Sequence, residues 1–214
     1  MKRNFIRIAV FVFIFRPLVW IFLGLNVKNR KHLPLKGPAI VVANHNSHLD
    51  TIVLMSLYPL RLLSSVRPVA AADYFLCNRY LQWFCKNILQ IIPIQRSIHQ
   101  ALMNPEDPLH GVSEASDAGS IVIYYPEGTR GEPEQMGRFK TGIARLSERH
   151  PGVPIVPIYL RGLGKALPKG KALLVPFNAD VVLGKPFEHR CPKHEFVTLL
   201  REQVCSLEKE LQYA

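Results

Sequence analysis

The strongest limit on how this chain folds comes from its short apolar runs: Ala39–Ala43, Pro68–Ala72, Ile91–Ile94, Ser120–Tyr125 and Pro154–Leu160. Runs this short, bounded by Gly, Pro and polar residues, read as strands buried on both faces. Helix-like stretches follow them near 49–58, 73–88, 109–118, 140–149 and 194–211, and Ala172 to Leu183 reads as a final strand or hairpin. Strand-then-helix alternation predicts an α/β fold with a mostly parallel central sheet flanked by helices on both faces. A length of 214 residues, 48% of them hydrophobic, suffices for one such core and excludes disorder, collagen and coiled coil. The 17 Pro and 13 Gly interrupt the pattern too often for a long helical bundle.

Ahead of the first strand lies an N-terminal apolar segment, Phe5 to Leu25. As one helix it would measure about 31 Å, enough to cross a bilayer. Arg16-Pro17 falls near its middle, where a cation costs roughly 2.5–3.5 kcal/mol and the proline disfavours helical geometry in the residue before it. The segment therefore reads as two pieces, Ile8–Phe15 and Leu18–Leu25, forming a helical hairpin or a kinked helix that dips into one leaflet, with Arg16 reaching back to phosphate headgroups. No small-x-small cleavage site follows, which argues against a signal peptide. The expected organisation is a membrane-associating segment over 1–30 and a globular domain over 31–214.

Charge points the same way. Lys+Arg 27 against Asp+Glu 16 gives +11, and residues 1–36 supply Lys2, Arg3, Arg7, Arg16, Lys28, Arg30, Lys31 and Lys36 with no acid among them. Basic residues flanking an apolar stretch suit an anionic membrane surface, and no nucleic-acid-binding motif accompanies them. Cys77, Cys85, Cys191 and Cys205 lack C-x-x-C or zinc spacing and read as buried, reduced thiols of a cytosol-facing protein.

Parallel sheets place their chemistry in loops beyond the carboxyl ends of the strands. Two polar clusters sit there: Asn44-His45-Asn46-Ser47-His48-Leu49-Asp50 and Pro126-Glu127-Gly128-Thr129-Arg130-Gly131. His45 and Asp50 are the residue types for a general base and its orienting carboxylate. On one continuous helix they would point about 140° apart, so they meet only if His45 lies in the loop and Asp50 in the first helical turn. His45, His48 and Asp50 are also metal-ligand types, but no second ligand cluster completes a site, so no metal and no cofactor is expected. Glu127, Gly128, Thr129 and Arg130 combine a permissive backbone, a hydroxyl and a guanidinium suited to phosphate. Lys140, in Phe139-Lys140-Thr141-Gly142, and Arg96, closing the strand at 91–95, add cations that make an anion pocket.

Taken together, N-H-N-S-H-L-D at 44–50, Y-P-E-G-T-R-G at 125–131, F-K-T-G at 139–142 and V-P-I-V-P at 153–157 resemble the glycerolipid acyltransferase family, over roughly residues 30–190. The resemblance implies an acyltransferase domain that moves an acyl group from acyl-CoA or acyl-carrier protein to the free hydroxyl of a lysophospholipid, without a covalent acyl-enzyme. It implies His45 as base, Asp50 as its orienter, and Glu127, Gly128, Thr129 and Arg130 on the acceptor's phosphate and glycerol. The most direct acceptor is 1-acyl-glycerol-3-phosphate, giving phosphatidate, at the cytoplasmic face of the inner membrane. Gln90-Ile91-Ile92-Pro93-Ile94-Gln95-Arg96 keeps the Arg of the family's G-x-x-F-I-x-R motif and lacks its Gly and Phe, which leaves another lysolipid acceptor open. A lipase is disfavoured because no G-x-S-x-G elbow occurs. A non-catalytic anionic-lipid-binding protein is the remaining alternative, against which the His45/Asp50 pair speaks.

Overall fold

The computed structural model describes residues 2–72, 78–95, 107–132, 134–167, 175 and 177–212. Its sheet has seven strands in the order β1-β7-β6-β2-β5-β3-β4. They are β1 (Asn26–Lys28), β2 (Ala39–Ala43), β3 (Val66–Ala71), β4 (Ile92–Ile94), β5 (Ile121–Tyr124), β6 (Ile155–Arg161) and β7 (Asp180–Leu183). Strands β6, β2, β5, β3 and β4 run parallel; β7 lies antiparallel to β6, and β1 pairs with β7 at the edge.

The expected α/β architecture is therefore present, with one addition. Asn26–Lys28 is a polar edge strand of three residues, too short and too hydrophilic to register as an apolar run. The central strands alternate strictly between two cores. Val41 and Ala43 of β2 join one, while Ile40 and Val42 join the other. Against the first pack α1 (the helical stretch 2–22), α2 (Leu49–Ser56), α6 (Leu163–Ala166) and the end of α3, a helix over Arg79–Phe84 that continues as a π-turn at Cys85–Leu89. Against the second pack α4 (His110–Asp117), α5 (Gly142–Arg149) and α7 (Lys193–Gln212).

Helix α1 differs from its expected form. An α-helical stretch, Lys2–Val10, runs into π-helical turns at Phe11–Phe15 and Leu18–Phe22, and Arg16 and Pro17 keep right-handed helical dihedrals between them. No hairpin forms. The π turns re-route the hydrogen-bond ladder around the donor that Pro17 lacks: the Arg16 N–H reaches Phe11 O and the Leu23 N–H reaches Leu18 O. Arg16 has a partner within the protein. Its Nη2 donates to Tyr58 O at 2.8 Å, on the chain leaving α2.

One stripe of α1, at four-residue spacing, is buried: Arg7, Phe11, Phe15, Val19 and Leu23. Phe15 meets Phe84 of α3 edge to face. The opposite face carries Phe5, Phe13 and Ile21 at 76%, 77% and 81% exposure. Arg7 to Leu25 thus pack through one stripe against the domain that follows, while one side of α1 stays apolar and uncovered. Of the cysteines, Cys85 is buried, and Cys191 and Cys205 are only partly so, on α7 and the chain leading into it, a correction to the expectation that all are interior. Cys77 and Arg96 lie outside the described residues, as do parts of the stretches expected at 73–88 and 172–183.

Candidate functional site

Strands β2 and β5 are neighbours in parallel register, with Val42 opposite Tyr124, so the loops beyond both open at the same end of the sheet. The first of these loops is tied down at once. Asn44 leaves β2 and uses its side chain as a strand residue would: Nδ2 donates to Leu160 O at 2.9 Å and Oδ1 accepts from Leu160 N at 2.7 Å. The chain then turns, His45 sits in the loop, and Asp50 falls in the first turn of α2, the break that the five-residue spacing requires.

His45 Nδ1 lies 2.9 Å from Asp50 Oδ2, and the Asp50 side chain is completely buried. A carboxylate oxygen accepts, so Nδ1 carries the proton and Nε2 is the ring's acceptor. Asp50 Oδ2 also accepts from the Asn46 and Ser47 backbone N–H groups at 2.7 and 2.9 Å. The carboxylate therefore fixes the loop and the imidazole together. The other face of the ring is set by Tyr125, stacked at 4.1 Å between centroids, whose hydroxyl contacts Thr51 Oγ1 at 3.0 Å. Burial holds that hydroxyl protonated, raising it well above the usual tyrosine range.

The second loop is clamped to the first. Glu127 is buried; its Oε1 accepts from the His45 N–H at 2.9 Å and its Oε2 from the Gly137 N–H at 3.0 Å. Burial raises its carboxyl above the ordinary value, and those two N–H groups partly offset the rise. Both oxygens are thus engaged by backbone, and Glu127 is not among the pocket-lining residues. Gly137 is glycine because a Cβ there would come within 2.8 Å of Glu127 Oε2. Gly128 adopts a left-handed φ of +71°, turning the chain so that the Lys140 ammonium lies over it.

One pocket of about 710 Å³ collects the remaining candidates. His45, Gly128, Thr129, Arg130 and Lys140 all line it, with Asp50 directly behind His45. Arg130 Nη1 donates to His48 Nε2, which requires that ring to be neutral. His48 is lowered to about 4 by the pocket walls around it, then by Arg130 and His45, and so meets the requirement at neutral pH. The far wall is apolar: Ile52 of α2 and Leu81, Phe84, Cys85 and Leu89 of α3. Among the described residues no group of three or more His, Cys, Asp or Glu could hold a metal ion.

Arg145 also lines the pocket and did not stand out in the sequence. Its signal is present: it follows Thr141, the residue that caps α5, by one helical turn, the Arg145 N–H donating to Thr141 O. Tyr125 reads in the sequence as the last residue of a strand and the first of Y-P-E-G-T-R-G, with no sign of its contact with His45. Its stacking on His45 depends on the β2–β5 register, which no local pattern encodes.

A family model described as acyltransferase matches residues 24–161. The chain is 30% identical over 173 residues to the chloroplastic 1-acyl-sn-glycerol-3-phosphate acyltransferase LPAT1 of Arabidopsis thaliana, covering 78% of this chain and 45% of that protein. It is 33% identical over 165 residues to a protein named Taffazin of Dictyostelium discoideum, covering 70% and 55% respectively. The chain spans about half the length of these curated relatives. In fold it is similar to the crystal structure of the 1-acyl-sn-glycerophosphate acyltransferase PlsC of Thermotoga maritima, with a TM-score of 0.75 at 20% identity, covering 99% of this chain and 82% of that one.

Proposed function

The chain belongs to the acyltransferase family, and on that footing we propose that it moves a fatty acyl group from acyl-CoA or acyl-carrier protein to the free hydroxyl of a lysophospholipid, with 1-acyl-glycerol-3-phosphate as acceptor and phosphatidate as product. The observation that carries this reading is the shared pocket: an imidazole backed by a buried carboxylate, a cationic loop and an apolar wall border one volume of about 710 Å³. A lysophospholipid has a hydroxyl, a phosphate and an acyl chain to match the three.

In this proposal His45 Nε2 takes the proton of the acceptor hydroxyl as its oxygen attacks the thioester carbonyl. The tetrahedral intermediate collapses, the C–S bond breaks as the C–O ester remains, and the imidazolium returns its proton to the leaving thiolate. Asp50 holds the tautomer and stabilises the imidazolium, roles together worth roughly 10²–10⁴-fold. Gly128, Thr129, Arg130 and Lys140 hold the acceptor's phosphate and glycerol. Arg96 is proposed as a further substrate contact. Glu127, with its oxygens on two backbone amides, is assigned the task of positioning the two loops against each other.

The exposed face of α1 is proposed to lie in an anionic leaflet, at the cytoplasmic face of the inner membrane. The helix from Asn4 to Phe22 is long and apolar enough to span, with mean hydropathy 2.2. Its docking on the domain through Phe11, Phe15 and Val19 favours a one-sided placement. The division between residues 1–30 and 31–214 is then one of environment rather than packing.

The test is a product survey by mass spectrometry, offering the purified chain several lysolipids with acyl-CoA or acyl-carrier protein. Phosphatidate formed from lysophosphatidate supports the proposal. Because the segment at 90–96 lacks the family's Gly and Phe, a different acylated lysolipid would reassign the acceptor while keeping the chemistry. Free fatty acid released with every acceptor ignored, or lipid binding without turnover, would contradict it.

A further inference from the structure

Beside the reactive pocket lies a second cleft of about 370 Å³ whose residues the proposed transfer does not use. It is bordered by Arg138 on the chain leading into α5 and by His194, Thr198 and Arg201 along one face of α7. Thr141 lines both cavities. Glu202 is the acid on its rim.

Two guanidinium groups, those of Arg138 and Arg201, border this one cleft. Arg138 and Arg201 are in no ion pair among the described residues, although Glu202 adjoins them; Arg201 Nε makes only a long contact, 3.5 Å, to Gly137 O. Two guanidinium groups in one cleft, with Thr141 in the same lining, form a receptor for phosphoryl oxygens, whereas the Thr198 hydroxyl already donates to His194 O. The acceptor phosphate has its own site across Thr141, at Gly128, Thr129, Arg130 and Lys140.

We propose that this second cleft binds the nucleotide phosphates of a coenzyme-A thioester, whose flexible pantetheine arm passes over Thr141 to place the acyl carbonyl at His45. The proposal rests on the transfer reading for the arm's destination, and it commits to acyl-CoA over the carrier protein as donor. A compact cavity with paired guanidinium groups suits a phosphorylated nucleoside; an acidic carrier protein would instead meet a broad, flat basic surface.

The test has two readouts on the full-length chain in detergent. In the first, the KM for acyl-CoA and the KM for lysophosphatidate are measured for wild type, Arg138→Gln, Arg201→Gln and the double variant, with Arg190→Gln as charge-matched control. The donor KM should rise about tenfold or more in the double variant, since charge-assisted hydrogen bonds are lost. The acceptor KM should stay within about twofold, and Arg190→Gln should change neither. A donor truncated to acyl-pantetheine, which carries no phosphate, should show no such difference between wild type and variant. A rise confined to the acceptor KM, or an equal rise with the truncated donor, overturns the proposal. A loss seen with acyl-carrier protein and absent with acyl-CoA overturns it in favour of protein docking.

The second readout requires no turnover: calorimetric titration with adenosine 3′,5′-bisphosphate. Binding to wild type that the double variant loses supports the cleft even if no acyl transfer is ever detected, which would instead remove the transfer reading. Equal binding by both proteins, or binding by neither, overturns the assignment. Thermal melting of each variant alongside wild type separates lost binding from lost fold.

Discussion

Asp50 Oδ2 accepts three hydrogen bonds at once, from His45 Nδ1 and from the Asn46 and Ser47 amides, whereas the buried Oδ1 has no partner among the described residues. An asparagine can keep the two amide bonds through its carbonyl oxygen but supplies no charge against an imidazolium. Asp50→Asn should therefore fold, with a melting temperature close to wild type, while kcat falls by about 10²–10⁴-fold at saturating donor and acceptor. A kcat within a factor of a few of wild type would show that the carboxylate only builds the loop. His48 gives a pH signature. Its folded value, about 4, lies below its ordinary 6.5, so between those limits the unfolded chain holds a proton that the folded chain does not, and stability rises with pH across the window. His48→Gln removes that slope. The melting temperature of the variant relative to wild type should climb as pH falls from 6.5 toward 4, and a pH-independent difference would deny the neutral ring that accepts from Arg130.

At the scale of elements, α1 holds two surfaces with opposite demands. Its buried stripe includes Arg7, whose Nε donates to Ile88 O at 2.8 Å while Nη1 and Nη2 have no partner among the described residues. Interior guanidinium nitrogens without acceptors are destabilising, and an apolar residue of similar length removes the penalty. Arg7→Met should raise the melting temperature by a few degrees, about 1 kcal/mol or more for a chain of this size. A fall would show that the guanidinium is satisfied. The outer stripe makes the complementary prediction. Phe13 and Ile21 are 77% and 81% exposed, so Phe13→Asp with Ile21→Asp should leave the core untouched. Co-flotation with anionic vesicles should fall at least tenfold, because each change replaces a favourable apolar contact with a charge. Undiminished flotation would place membrane contact elsewhere. The misreading of this helix as two pieces has a local cause. Arg16-Pro17 is a breaker by composition, but π turns on either side absorb the missing donor and Tyr58 O receives the charge, and neither partner lies within the window that composition samples.

Across the whole molecule, what the sequence made legible was whatever depends on local period and local spacing. The five apolar runs became β2 to β6 within two residues at each end, because strands buried on both faces need continuous apolar stretches and few other segments tolerate them. The His45–Asp50 meeting was legible for the same reason, since a loop-to-helix break satisfies a five-residue spacing only one way. What stayed hidden depends on which strands become neighbours. Glu127 reads as a polar residue beside a glycine, a natural phosphate contact, until the β2–β5 pairing sets it beneath the His45 amide and Gly137 takes its second oxygen. Tyr125 on the imidazole and Arg145 at the pocket edge belong to the same class, and β1 is recognisable only once β7 is there to pair with it. The central claim is that the His45 imidazole, within the pocket bordered by the cationic loop, performs the proton transfer of an acyl exchange. Its most direct measurement is the rate of phosphatidate formation from lysophosphatidate and acyl-CoA by wild type and by His45→Ala at equal, folded concentrations. Wild type should turn over, and the variant should lose at least a hundredfold in rate with acceptor binding retained. Comparable rates from the two proteins would contradict it.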